Sequence, residues 1–316
     1  MTNLKAIANF IKERDNFLII SHASPDGDTI GSATALIRAL RSIGKKANFS
    51  CSDPVHKNFS YLFENLENEE FTPDTFIAVD VASTQLLGSF KDKYDIDVVI
   101  DHHLSNNLEA PLKYVDHTSP SNTMIMYELI NIMEIEICPK IANSLYTGLA
   151  TDTGCFKFSN TNAKAHIVAG KLFEKGADFS FVNKIMFDRK TLASLKIESE
   201  VFSKLEWYNQ GKILLASISR EMLERNQADE EDILAIPSIV RSIEGVLIGI
   251  TIKEKEDGMW KSSVRAIAPA DANVICQKLG GGGHRGAGGC ALCSDFEKSK
   301  EMIINACKEY LQENNL

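Results

Sequence analysis

The stretch Phe17-Leu18-Ile19-Ile20-Ser21-His22-Ala23-Ser24-Pro25-Asp26-Gly27-Asp28-Thr29-Ile30-Gly31-Ser32 decides the fold. Its first four residues form a short unbroken apolar run, as a strand buried on both faces of a parallel sheet should. A Ser/Pro/Gly/Asp loop follows, and a helical pattern runs from about Gly31 to Ile43. Upstream, Leu4, Ile7, Ala8 and Ile11 recur at helical spacing. Downstream, Ala47–Ser50, Phe76–Val79 and Val98–Ile100 read as further strands, the last two each followed by Asp. Helices are expected over 121–133, 139–151 and 163–175, the last closed by Gly176. Strands alternating with helices predict an α/β domain with a parallel sheet, whose ligands bind at the carboxyl ends of the strands.

The pattern changes after residue 190. Residues 191–207 read as a charged linking helix, with Leu192, Leu195, Ile197 and Val201 as its apolar members. Strands at 212–219, 246–253 and 262–267 and helices at 270–279 and 296–312 then predict a smaller α+β domain over 208–316. The chain has 316 residues and a formal net charge of −9. That length suits two domains, and the acidic balance argues against tight binding of long duplexes, which needs many cations on phosphates. No apolar run approaches the ~20 residues that span a bilayer. The first residues do not read as a signal peptide, so a cytoplasmic protein is expected. The seven cysteines are expected to be mostly buried thiols. Cys290-Ala-Leu-Cys293 lacks the second pair that a zinc site needs. Trp207 and Trp260 are expected to pack, and His56, His117 and His166 carry no evident chemistry.

Four segments concentrate the chemistry. His22, Asp26 and Asp28 follow the first strand, though an Asp there also suits capping of the next helix. Asp80 ends another strand, and Asp101-His102-His103 follows a third. Asp152 ends an apolar helical run, where the helix dipole disfavours a carboxylate unless a cation lies nearby. Together His22, Asp26, Asp28, Asp80, His102 and Asp152 suffice for two divalent ions sharing one carboxylate. Mixed oxygen and nitrogen donors suit Mn²⁺ better than the oxygen-only sites of Mg²⁺ or Ca²⁺. Two such ions ~3.5–4 Å apart form the clamp used in phosphoester hydrolysis.

These motifs resemble the DHH phosphoesterase superfamily, whose name matches Asp101-His102-His103 here. The run Gly280-Gly-Gly-Gly-Gly-His284-Arg285-Gly-Ala287-Gly-Gly289, with Ser263-Val-Arg265 upstream, resembles the DHHA1 substrate-binding domain. The bacterial oligoribonuclease/pAp phosphatase group is the nearest in pattern. The resemblance implies a DHH catalytic domain over 1–190 and a DHHA1 domain over 208–316. It implies a first Mn²⁺ on His22 and Asp26, a second on Asp28, His102 and Asp152, and Asp80 bridging. Mg²⁺ or Co²⁺ would be substitutes. Asp101 would orient an imidazole from behind, and His103 would meet the scissile phosphate.

The glycine run lacks the Gly-Lys-Ser/Thr of a P-loop and follows a helix rather than opening one. Glycines let backbone amides approach a phosphate or base. Gly282, Gly283, His284, Ser263 and Arg265 are therefore expected to hold the end of a nucleotide away from the metals, and a cleft beside the small domain to limit its length. The expected activity is hydrolysis of very short RNA (nanoRNA) to mononucleotides and of 3′-phosphoadenosine 5′-phosphate to AMP. The alternative is a phosphodiesterase for cyclic di-AMP or linear dinucleotides. An inorganic pyrophosphatase and an inactive nucleotide-binding regulator rank lower. The expected partner is short RNA or a small nucleotide, with no membrane; a homodimer is compatible with the sequence.

Overall fold

The computed structural model describes residues 2–316, which divide into two compact units, one ending at Arg189 and the other spanning Lys190–Leu316. The first unit is built on a five-stranded sheet, β1 (Phe17–Ile20), β2 (Ala47–Ser50), β3 (Thr75–Val79), β4 (Val98–Asp101) and β5 (Leu112–Val115). The strands are all parallel and run in the order β2-β1-β3-β4-β5. The apolar runs are continuous because both faces are buried. Phe17, Ile19, Ile77, Val79, Val98 and Ile100 enter one core, and Leu18, Ile20, Ala78 and Val99 enter another on the opposite face.

Helices α1 (Leu4–Glu13), α2 (Gly27–Ser42), α3 (Asn122–Ile132), α4 (Pro139–Asp152), α5 (Ala163–Glu174) and the short α6 (Phe179–Asn183) complete this unit. Most contribute apolar residues to the first core, including Leu4, Leu36, Ile125, Leu145, Leu172 and Val182. Helix α2 packs tightly on α4. A Cβ at Gly31 would lie 2.5 Å from the Ser144 carbonyl oxygen, and one at Gly148 would lie 2.6 Å from Asp28 Oδ1. Glycine at both positions brings Asp28 on α2 close to α4, the helix that ends in Asp152.

The chain leaves β1 first for β2 on one side and then for β3 on the other, so the order reverses between β1 and β3. A reversal of this kind opens a crevice at the carboxyl ends of the two strands.

The second unit has a mixed six-stranded sheet ordered β10-β11-β9-β8-β7-β6. Its strands are β6 (Glu206–Tyr208), β7 (Ile213–Ile218), β8 (Ile248–Glu254), β9 (Trp260–Ala266), β10 (Gly282–His284) and β11 (Ala287–Ala291). Only β7 and β8 pair in parallel. Helices α10 (Ala272–Gln277) and α11 (Phe296–Glu313) share a core with Ile213, Leu215, Ile250 and Val264. On the other face α7 (Leu192–Ser203), α8 (Arg220–Asn226) and α9 (Ile236–Arg241) pack on Leu214 and Ala216.

Several expectations change. Helix α2 starts at Gly27, because Asp26 caps it by accepting from the amides of Asp28 and Thr29. The helix expected as a linker is α7, which buries Ile197 and Val201 in the second unit's core. Trp260 packs on Phe296, but Trp207 is 52% exposed and does not pack as expected. All seven cysteines are free, and only Cys276, Cys290 and Cys307 are buried. No helix among the described residues is long and apolar enough to cross a membrane.

Candidate metal centre and phosphate-binding sheet

The crevice at the β1/β3 reversal holds all six predicted ligands. His22 follows β1, Asp28 lies in the first turn of α2, Asp80 follows β3, His102 follows β4 and Asp152 ends α4. Asp26, 58% exposed, forms the rim. Asp80 is the hub, 2% exposed. Its Oδ2 lies 3.8 Å from His22 Nε2, and its Oδ1 lies 3.4 Å from His102 Nε2. His22 Nε2 is also 3.6 Å from Asp26 Oδ1. His102 Nε2 is 3.7 Å from Asp28 Oδ2 and 3.5 Å from Asp152 Oδ2. Two triads result, His22/Asp26/Asp80 and Asp28/His102/Asp152, each with ligand atoms within 4.8 Å of one another.

The backbone holds this arrangement under strain. Asp80 has φ +59°, a conformation that non-glycine residues seldom adopt. Its amide donates to the Ile100 carbonyl at 2.9 Å, and Thr29 Oγ1 donates to the Val79 carbonyl at 3.0 Å. Asp28 accepts from the amides of Asn122 at 2.5 Å and Thr123 at 2.9 Å, at the N-terminus of α3, where the helix dipole favours an anion.

Each ligand imidazole is oriented from behind. His22 Nδ1 lies 2.8 Å from the Ala23 carbonyl, and His102 Nδ1 lies 3.1 Å from the Ser119 carbonyl. A carbonyl only accepts, so each Nδ1 carries the hydrogen and Nε2 faces the carboxylates. A bare nitrogen lone pair against carboxylates is unfavourable unless a proton or a metal ion lies between them. Asp80 Oδ1 is buried without a hydrogen-bond partner, and such an orphaned oxygen is costly unless a cation meets it.

The carboxyl groups record the same deficit. Burial, reinforced by Asp28, Asp26, Asp101 and Asp152, pushes Asp80 well above the ordinary carboxyl range. Burial, with Asp28 and Asp26 next, pushes Asp152 up to about 8. Burial also raises Asp28, to which Asp26 adds. At the rim residue Asp26, desolvation by the surrounding protein acts in the same sense, but His22 and the amides of Thr29 and Asp28 outweigh it and the group falls below its usual value. At His22 burial opposes the charged form, yet Asp26 prevails and the imidazole is raised. Crowded acids whose ionisation is suppressed, with imidazole nitrogens facing them, form a donor set that fits divalent cations.

His103 differs from its neighbour. Its Nδ1 lies 2.8 Å from Asp101 Oδ1, and its ring is 40% exposed. Although His103 also groups with Asp80 and His102, its Nδ1 hydrogen is engaged by Asp101, leaving Nε2 for another partner. Asp101 is fully buried, and its other oxygen lies 2.5 Å from Asn106 Nδ2. Burial opposes ionisation of Asp101, but His103 outweighs it and the carboxyl lies below its ordinary value. Asn106, Asn122 and Thr123 are participants that sequence reasoning missed. Ser121-Asn122-Thr123 can be read as a helix start, but nothing in it announces Asp28 as the partner of its amides.

In the second unit the predicted substrate-binding residues fall in three successive rows of one sheet, Gly283 pairing with Gly288 in the middle row. His284 on β10 and Arg265 on β9 both pair with Ala287 on β11. Gly282 and Ser263 both pair with Gly289. Directly opposed residues share a sheet face, so His284 and Arg265 flank Ala287 on the same side. Gly283 has φ +151°, and a Cβ there would lie 2.4 Å from the Ala287 carbonyl oxygen, so the tight hairpin requires glycine. Burial, with the Arg241 guanidinium alongside, lowers the Arg265 pKa. No carboxylate ion-pairs with Arg265 among the described residues.

Residues 16–149 match the DHH family, N-terminal domain, and residues 210–313 match the DHHA1 domain. A Thermus thermophilus protein named bifunctional oligoribonuclease and PAP phosphatase NrnA is 29% identical over 315 residues, covering 98% of this chain and 94% of its own. Among solved structures, an exopolyphosphatase-related protein from Bacteroides fragilis superposes with a TM-score of 0.89 at 22% identity, covering 97% of this chain and 96% of its own. RecJ from Thermus thermophilus, solved in complex with Mn²⁺, superposes with a TM-score of 0.58 at 14% identity, covering 96% of this chain and 55% of its own. These two likenesses concern the fold.

Proposed function

We propose, from the match of residues 16–149 to the DHH family and of 210–313 to the DHHA1 domain, that the chain is a two-metal, Mn²⁺-dependent phosphoesterase acting on very short RNA and on 3′-phosphoadenosine 5′-phosphate. The observation that carries the reading is the Asp80 carboxylate, whose two oxygens face two different imidazoles, each with its own carboxylates. His22, Asp26 and Asp80 would hold one ion, and Asp28, His102, Asp152 and Asp80 the other. When bound, the pair supplies Lewis acidity, a more acidic water and charge neutralisation at phosphorus. The relatedness to the Thermus NrnA supports the choice of substrates.

The chain's own residues supply the rest. Hydrolysis forms a bond from a water oxygen to phosphorus and breaks the bond to a ribose oxygen, which departs with the electron pair. That oxygen needs a proton. His103, held through Nδ1 by Asp101, would deliver that proton from Nε2, while the surplus proton of the water passes to solvent. Arg265 and His284 would grip a phosphate or base away from the reacting bond, the guanidinium through its planar fork.

The test is a hydrolysis panel with added Mn²⁺: RNA from dinucleotides to long single strands, 3′-phosphoadenosine 5′-phosphate, cyclic di-AMP and pyrophosphate. Dinucleotides and 3′-phosphoadenosine 5′-phosphate should be cut fastest. Chelation should abolish turnover, and Mn²⁺ should restore it better than Ca²⁺, which prefers more oxygen donors. Preferential hydrolysis of cyclic di-AMP would replace the substrate assignment. Full turnover in excess chelator after dialysis would overturn the two-metal reading.

A further inference from the structure

We propose that Asn106 is a positioning residue for the leaving-group step, holding Asp101, and through it His103, in register with the Asp80 segment. The inference rests on the reading of His103 as the proton donor.

One amide joins two motif segments that are far apart in sequence. Asn106 Nδ2 donates to Asp101 Oδ2 at 2.5 Å and to the Val81 carbonyl at 2.9 Å. Val81 directly follows the hub carboxylate Asp80, and Asp101 ends β4. Both amide hydrogens therefore have acceptors, and this fixes the orientation of the amide: reversed, its oxygen would face a carboxylate and a carbonyl. The other Asp101 oxygen accepts from the His102 amide at 2.8 Å and lies 2.8 Å from His103 Nδ1. The carboxylate is held at both oxygens, so its plane cannot turn, and His103 is confined to one tautomer and one ring direction. Asn106 itself is tethered, since its backbone amide donates to the His103 carbonyl at 3.1 Å and the next amide, of Asn107, donates to the Ala82 carbonyl at 2.9 Å. The Asn106 side chain makes no hydrogen bond to a predicted metal ligand, its partners being Asp101 and the Val81 carbonyl. Its removal should leave ion binding intact and free the Asp101 carboxylate to turn.

The experiment compares two leaving groups. A dinucleotide expels a ribose alkoxide that needs a proton. The 4-nitrophenyl ester of AMP expels a phenolate that does not. Asn106→Ala should lower kcat on the dinucleotide by about 10–100-fold, part of the range general acid catalysis supplies, with KM little changed. On the nitrophenyl ester it should stay within about threefold of wild type, because no proton is required there. His103→Ala is the reference and should show the same pattern more strongly. A second readout is independent of turnover: in metal-free protein the His103 Nδ1–H proton should give a downfield NMR signal that Asn106→Ala broadens or shifts upfield. If the alanine variant fails to fold, Asn106→Leu keeps the side-chain shape, removes both donors without adding a charge beside Asp101 and should show the same split between substrates.

Equal losses on both substrates with Asn106→Ala, or no loss on either, overturn the inference, as does an unchanged His103 signal. Were His103→Ala itself blind to the leaving group, the proton-donor reading would fall and the inference with it. A dependence in His103→Ala that is absent from both Asn106 variants defeats the positioning role alone.

Discussion

The crevice of the first unit and the glycine hairpin of the second, the two candidate sites, are built by opposite means. In the crevice the side chains do the work: four carboxylates and two imidazoles crowd around one buried oxygen that nothing partners. In the hairpin the side chains are mostly missing, and glycines let backbone come close while one guanidinium and one imidazole flank a single row. The first arrangement is electrostatically frustrated until cations arrive. The second carries a milder conflict, since Arg265 lies beside the Arg241 guanidinium with no carboxylate paired to it among the described residues. Reactive geometry here is held against repulsion, whereas binding geometry is obtained by removing bulk.

The sharpest way to break this contrast is Asp80→Ala. It should cost about 10³-fold or more in kcat/KM, on the order of 4 kcal/mol, with far-UV circular dichroism unchanged and metal affinity weakened. A variant retaining half its activity would show that the hub is dispensable. In the hairpin, Arg265→Ala should cost about 30-fold in kcat/KM, near 2 kcal/mol. That loss should fall mainly on KM, and metal affinity should stay at wild type. Kinetics indistinguishable from wild type would remove Arg265 from binding.

A smaller effect separates the regions through stability. Asp152 titrates at about 8 in the folded chain, against an unfolded value near 3.9. A raised acid pKa stabilises the fold below the unfolded value and loses that contribution as pH rises through the folded one. The metal-free protein should therefore melt several degrees lower at pH 8 than at pH 5. Mn²⁺ should restore more at pH 8 than at pH 5, since it replaces the missing protons. Differential scanning calorimetry checks this, and Asp152→Asn should flatten the slope whereas Arg265→Ala should leave it alone.

The two regions also differed in how far they could be read in advance. Unbroken apolar runs announced β1, β3 and β4, and an acid or histidine just after each located the ligands, because a parallel sheet sends its strand ends to one edge. Edge strand β5, Leu112-Lys-Tyr-Val115, is half-buried throughout and gives no such run. Strands β10 and β11 run through the glycines, where side-chain alternation has little to write with. Burial at the hub and the positive φ of Asp80 are tertiary facts with no local signature. Asn106 looked like any loop asparagine, since its two acceptors lie on separate strand ends.

The six candidate ligands are scattered from His22 to Asp152, just after three strands (β1, β3 and β4) and at the ends of two helices (α2 and α4). No local hairpin or single helix brings even one triad together, so the centre forms only when distant parts of the chain have met. During synthesis a ribosome must release residues well past Asp152 before the second triad has all its members, and domains fold as units once their chain has emerged. A nascent or truncated copy that lacks Asp152 has no complete second triad, so the proposed activity is expected only from the finished fold.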